Sequence, residues 1–104
     1  MAEKKVKTGS QILATGRRKS SIARVRLFPG NGKITVNDRE LGEYLQRDTL
    51  VLVAKQPLSL TSTQDKFDAI IRVDGGGIAG QAGAICHGLA RALLSFLAFS
   101  PVTF

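Results

Sequence analysis

The sequence predicts an α+β domain built as a two-layer sandwich, and three observations lead there. Residues 23–27 and 67–73 alternate apolar and polar side chains with period two, as half-buried strands do. Residues 81–97 place Ile85, Leu89, Leu93 and Phe96 at helical spacing, over a length that can cover a sheet. A chain of 104 residues with 43% hydrophobic side chains can bury one modest core and not two. The element order read from these and weaker signals is β-β-α-α-β-α.

Residues 1–11 are polar, basic and without periodicity, and read as a flexible arm. The folded domain is expected over 12–98, followed by an atypical apolar end at 99–104. In the first strand Ala23, Val25 and Leu27 face the core while Arg24 and Arg26 share the opposite face. Pro29-Gly30-Asn31-Gly32 is a turn, because Pro pre-sets φ at its entry and Gly and Asn tolerate positive φ. The short strand Lys33-Ile34-Thr35-Val36 follows, and the two strands are expected to pair as a β-hairpin. Asn37 or Asp38 then caps a short helix, with Glu40 placed for a capping box if Asn37 is the cap and Leu41, Tyr44 and Leu45 as its buried stripe. A second helix is expected from Asp48 to about Lys55, although its run Leu50-Val51-Leu52-Val53 also suits a strand. Pro57 ends it in either case. Residues 61–66 form a loop, Phe67 to Val73 a strand with Phe67, Ala69, Ile71 and Val73 on one face, and residues 81–97 the longest helix. His87, Arg91 and Ser95 lie on another face of that helix.

Charge narrows the function. Fifteen Lys and Arg against eight Asp and Glu leave +7, which points to a polyanionic partner. Residues 1–26 hold eight of the basic residues and only Glu3, so they carry all of the net charge; the other 78 residues hold seven of each sign and sum to zero. One cysteine, Cys86, excludes an internal disulfide and a cysteine-based zinc site. No stretch approaches the roughly 20 apolar residues that span a bilayer, and the N-terminus lacks the apolar core of a secretory signal. A cytoplasmic address is expected, with no membrane partner, cofactor or metal.

Two segments carry candidate chemistry. Thr15-Gly16-Arg17-Arg18-Lys19-Ser20-Ser21, followed by Arg24 and Arg26, sets adjacent cations behind a glycine. Arg grips phosphate bidentately, Lys acts as a point charge, and the hydroxyls of Thr15, Ser20 and Ser21 can bond phosphate or 2′-OH groups. The competing reading is a solvated strand end. Gly75-Gly76-Gly77-Ile78-Ala79-Gly80 is a literal G-x-G-x-x-G between a strand and a helix. No acidic residue follows Asp74 to hold a ribose, and the chain is too small for a Rossmann sheet, which argues against a dinucleotide. A turn whose glycines allow close packing and a helix N-terminus that receives an RNA phosphate both remain open. His87 has no partner for catalysis, since Cys86 is its helix neighbour and diverges from it by about 100°. Aromatic residues are few, so structured RNA recognised by shape and backbone suits the chain better than base stacking.

Residues 14–25 (ATGRRKSSIARV), Pro29 to Ile34 (PGNGKI), Gln56-Pro57-Leu58, residues 75–85 (GGGIAGQAGAI) and residues 87–93 (HGLARAL) closely resemble the family of bacterial small-subunit ribosomal protein nine, colinearly from about Ala14 to Leu94. The resemblance implies a non-enzymatic, structural constituent of the 30S head that binds 16S rRNA beside neighbouring head proteins. It also implies a left-handed βαβ crossover, against the usual hand. It places Arg17, Arg18, Lys19, Gly75, Gly76, Gly77 and Gln81 against RNA, and Ser20, Arg24, Arg26, Lys33, His87 and Arg91 complete the expected RNA-binding set. Cys86 stands where the family commonly has a basic residue. The family's long basic C-terminal tail, which approaches P-site tRNA, has no counterpart in Leu97 to Phe104. This ending reads as a truncation, and tRNA contact is not expected of this chain.

Overall fold

A computed structural model of the chain describes residues 11–62 and 65–99; the basic arm at 1–10, Thr63-Gln64 in the loop, and residues 100–104 of the apolar end lie outside the described residues. The elements run β1 (Ile12–Arg18), β2 (Ser21–Pro29), β3 (Ile34–Val36), β4 (Arg39–Glu40), α1 (Leu41–Leu45), α2 (Asp48–Leu60), β5 (Phe67–Asp74) and α3 (Ile78–Phe99). The five strands form one sheet in the order β1-β2-β5-β3-β4. Two elements, β1 and β4, join the expected order, and the α+β two-layer architecture holds.

The core lies between one face of the sheet and the helices. Ala23, Val25 and Leu27 of β2, Ile34 and Val36 of β3, and Phe67, Ala69, Ile71 and Val73 of β5 are all buried, which is the alternation read from the sequence. Leu41 and Leu45 of α1, Ala54 and Leu58 of α2, and Ile85, Leu89 and Leu93 of α3 close over them in the same cluster. Phe96 meets Phe67 edge-to-face at 5.0 Å between ring centres. Each large aliphatic side chain so buried stabilises the fold by about 1.5–3 kcal/mol. Among the described residues no helix is long and apolar enough to cross a membrane.

Four local expectations are corrected. First, β2 and β3 do not pair as a hairpin. β5 lies between them, antiparallel to β2 with Val25 opposite Ile71, and parallel to β3 with Val36 opposite Ile71. The turn is real but bridges a third strand. Gly30 donates to the Lys66 carbonyl at 3.0 Å, and the N–H groups of Asn31, Gly32 and Lys33 all donate to Asp68 Oδ1 at 2.9–3.0 Å. One carboxylate thereby pins the loop across the start of β5. Asp68→Ala is expected to cost about 2–3 kcal/mol, seen as a fall of about 1–2 M in the urea midpoint. Asp68→Asn, which keeps an acceptor, is expected to lose about half as much.

Second, Asn37 and Asp38 cap no helix. They sit at φ 51° and 70° between the paired residues Val36 and Arg39, a two-residue turn of the hairpin type that needs positive φ at both centres. Glu40 occupies the helix N-cap without a side-chain capping bond. Third, Pro57 does not end α2, which continues to Leu60. Val53, whose carbonyl would have bonded the missing N–H, is exposed, so water can take that acceptor. Leu58, one residue past the proline, is fully buried and offsets the cost. The segment 50–53 is helical because its partly buried Leu50 and Val51 continue at 3–4 spacing into Ala54 and Leu58. Fourth, α3 begins at Ile78, three residues before the expected start, so Gly80 belongs to the helix.

Candidate nucleic-acid interface

The two candidate motifs, some 55 residues apart in sequence, meet at one end of the sheet. Because β2 and β5 are antiparallel neighbours with Ile22 opposite Asp74, the turn entering β2 (Lys19-Ser20) lies against the turn leaving β5 (Gly75–Gly77). A Cβ built on Gly75 would sit 2.3 Å from the Ser20 carbonyl oxygen, and one on Gly76 2.3 Å from Ser21 Oγ. Both glycines also have positive φ, 81° and 64°. Packing therefore accounts for Gly75 and Gly76. It does not account for Gly77, which has ordinary φ and nothing within 4 Å of its missing Cβ; that position is open to solvent at the N-terminus of α3.

A chain of hydrogen bonds holds this end in place. Ser21 Oγ donates to the Gly75 carbonyl at 2.8 Å, and Gln81 Nε2 donates to the same oxygen at 3.1 Å. Tyr44 donates to Gln81 Oε1 at 2.6 Å, and Asn37 Nδ2 reaches both Tyr44 and the Val73 carbonyl. Ser21 is fully buried, so its hydroxyl cannot serve an external phosphate, and that part of the sequence reading is corrected. Gln81 is 9% exposed and positions Gly75 from behind. Asn37 and Tyr44 were invisible as contributors because only the fold brings them here.

The basic cluster divides between two faces. Gly16 faces α3, where an added Cβ would lie 2.1 Å from the Ala84 carbonyl oxygen; Arg18, two residues on, shares that side, and its stem crosses α3 at Gly83. Arg17 points the other way, onto the open face of the sheet with Arg24 and Arg26. Lys19 forms the tip between them with φ 57°, an unusual conformation for a residue with a long side chain. Arg17, Arg18, Lys19, Ser20, Arg24 and Arg26 are all exposed. The Arg17 N–H donates to His87 Nδ1 at 3.1 Å, and the same nitrogen lies 3.2 Å from the Arg17 carbonyl oxygen. Either tautomer finds a partner on that backbone, which ties α3 to the edge strand. Arg91 is exposed one turn further along α3. Lys33 stands apart from the hairpin tip: its carbonyl accepts from the Ala69 N–H at 3.0 Å, and Ala69 lies opposite Leu27, near the other end of β2 from Ser21. Arg72 joins the open face opposite Arg24, a neighbour that sequence alone did not supply.

The glycine motif is not a dinucleotide fingerprint. Gly80, its third glycine, lies within α3 with Ser21 Oγ 3.0 Å from where its Cβ would be, so it serves helix–sheet packing. Cys86 is half-buried, and desolvation pushes its thiol above the usual range. It is expected to alkylate more slowly than an exposed cysteine at pH 8 and to match it only in more alkaline solution, as iodoacetamide kinetics would show. Among the described residues no group of three His, Cys, Asp or Glu is placed to hold a metal.

The surface so assembled is a cationic hairpin tip beside a bare glycine turn, flanked by arginines on the open sheet. A family model described as ribosomal protein S9/S16 matches the chain over residues 16–102.

Proposed function

The chain belongs to the ribosomal protein S9/S16 family, structural ribosomal proteins that bind ribosomal RNA, and we propose that it serves in the head of the small subunit by docking on 16S rRNA. The observation that supports this most is the juxtaposition of the Lys19-Ser20 tip with Gly75–Gly77. Cations on one turn and backbone N–H groups on the next converge on a single region. The first N–H groups of α3 have no intrahelical acceptor, since the helix closes its first bond from Gln81 to Gly77, and an anion is favoured there. Gly77 leaves room for a phosphate oxygen to approach that backbone. Arg18 and Lys19 neutralise the same phosphate ribbon, while Arg17, Arg24 and Arg26 continue the positive surface over the sheet. Ser20 adds a hydroxyl, His87 and Arg91 extend the contact along α3, and Gln81 acts by holding Gly75. Lys33, at the other end of the sheet, makes a separate phosphate contact. Neighbouring head proteins complete the partners.

Co-sedimentation with small subunits tests the location. A salt titration with a 16S head fragment tests the chemistry. Five phosphate contacts by Arg17, Arg18, Lys19, Arg24 and Arg26 predict log K falling with log salt at a slope of about −3.5 to −4.5. A flat salt response, or tight binding of ATP or NAD instead of RNA, would refute the proposal.

A further inference from the structure

The sheet face turned away from the helices carries a groove of about 520 Å³, lined by Leu13, Thr15, Arg24, Arg26, Ile70 and Arg72 with the backbone between them. That volume lies within the range of ligand clefts, about 300–1,000 Å³. Its walls hold three guanidinium groups and no carboxylate. Leu13 and Ile70 are 67% and 40% exposed, apolar surface that no described element covers.

The charge arrangement is unfavourable for the chain alone. Arg24 and Arg72 are directly opposite one another across β2 and β5, and like charges so placed destabilise a sheet. Arg26 lies two residues along on the same face, opposite Ile70 and Leu13. Arg72 pairs with Asp38 at 3.4 Å, but both side chains are exposed and such a pair contributes little. Asp74, next along the face beyond Arg72, lies outside the groove. An anion seated between Arg24 and Arg72 would turn this repulsion into two charge-assisted contacts.

We infer that the groove is an RNA subsite for an unpaired segment, with Arg24, Arg26 and Arg72 on the phosphates and Leu13 and Ile70 against ribose and base. The inference rests on the RNA-binding reading above and deepens it on the open sheet face, adding Arg72, Leu13 and Ile70 and an unpaired segment as the occupant. The groove is recessed and spans three strands, about 10 Å at 4.8 Å per step. That width takes one strand, and the apolar side chains of Leu13 and Ile70 favour bases left free by a duplex. Aliphatic floors accept any base, so the contact is sequence-tolerant.

Anisotropy of labelled oligouridylate and of a labelled RNA duplex, measured against the full chain and its variants, tests the inference. Arg72→Gln is expected to weaken oligouridylate binding about tenfold and to lower the salt slope by about 0.7, with little effect on the duplex. Its urea midpoint should hold or rise, since a like-charge pair is removed. Leu13→Ala should weaken the same RNA without changing the slope. The inference is overturned by unchanged affinity in Arg72→Gln or by equal loss for duplex and single strand. An Arg18→Gln, Lys19→Gln double variant is measured in parallel. If it alone loses RNA, the groove falls and the RNA-binding reading stands; if no variant loses RNA, both fall.

Discussion

Gly16→Ala is expected to destabilise the fold by about 3 kcal/mol, at the upper end of what an added methyl usually costs. The added carbon would lie 2.1 Å from the Ala84 carbonyl oxygen and 2.2 Å from the Gly88 nitrogen. Both are backbone atoms in the middle of α3, so no side chain can move aside. Relief requires lifting the helix from β1, and the helix carries Ile85, Leu89 and Leu93 into the core. The approach is mutual, because a Cβ on Gly88 would lie 2.7 Å from Val25 Cγ2 and 3.2 Å from the Gly16 nitrogen. For a domain of this size the loss corresponds to a fall of roughly 12–24 °C in Tm, readable by thermal denaturation. Gly42→Ala supplies the opposite control. It lies exposed in α1 with nothing within 4 Å, and the substitution should gain about 0.5–1 kcal/mol from helix propensity and lost unfolded-state entropy. A Gly16→Ala protein with wild-type Tm would show that β1 and α3 are not in the contact described.

The same contact explains why β1 escaped the sequence reading. Its helix-facing positions are Ile12, Ala14, Gly16 and Arg18, and they shrink where α3 presses closest. A strand that must admit a helix backbone cannot show the large apolar alternation that made β2 and β5 legible. The turn at 29–32 was legible as a turn, yet turn chemistry is silent about whether a distant strand inserts between the arms it joins. Asp68 does that joining, and a lone polar residue in a strand carries no mark of three N–H partners elsewhere. Asn37-Asp38 satisfied the residue preferences of a helix cap and of a positive-φ hairpin turn alike, and only the pairing of β3 with β4 decided between them. The passage of α2 through Pro57 has no mark in the sequence, because the burial of Leu58 beyond it is a tertiary gain. At the interface, residue types were legible and adjacency was not. Lys19 and Gly75 become neighbours through β2–β5 pairing, and the hydroxyl of Ser21 turns inward for the same reason.

Neutralising the hairpin tip is the second change of large expected effect. Replacing Arg17, Arg18 and Lys19 together by Gln should weaken binding to a 16S head fragment about 100-fold near 0.15 M salt, or about 2.7 kcal/mol. The salt slope should become shallower by about 2 to 3 units, one lost contact per cation. Stability should change little, because all three side chains are exposed; only Arg18 has its stem against α3, at Gly83. Lys19 separates binding from folding most cleanly. It holds φ 57°, a conformation in which Asn is more at ease than Lys. Lys19→Asn is therefore expected to raise Tm slightly while lowering RNA affinity several-fold. A residue kept for structure alone would lose both or gain both. If the triple variant binds within about threefold of the original chain, far less than three lost phosphate contacts allow, the hairpin tip is not the dock. The positive charge of Arg24, Arg26 and Arg72 on the open sheet would then have to carry the RNA by itself.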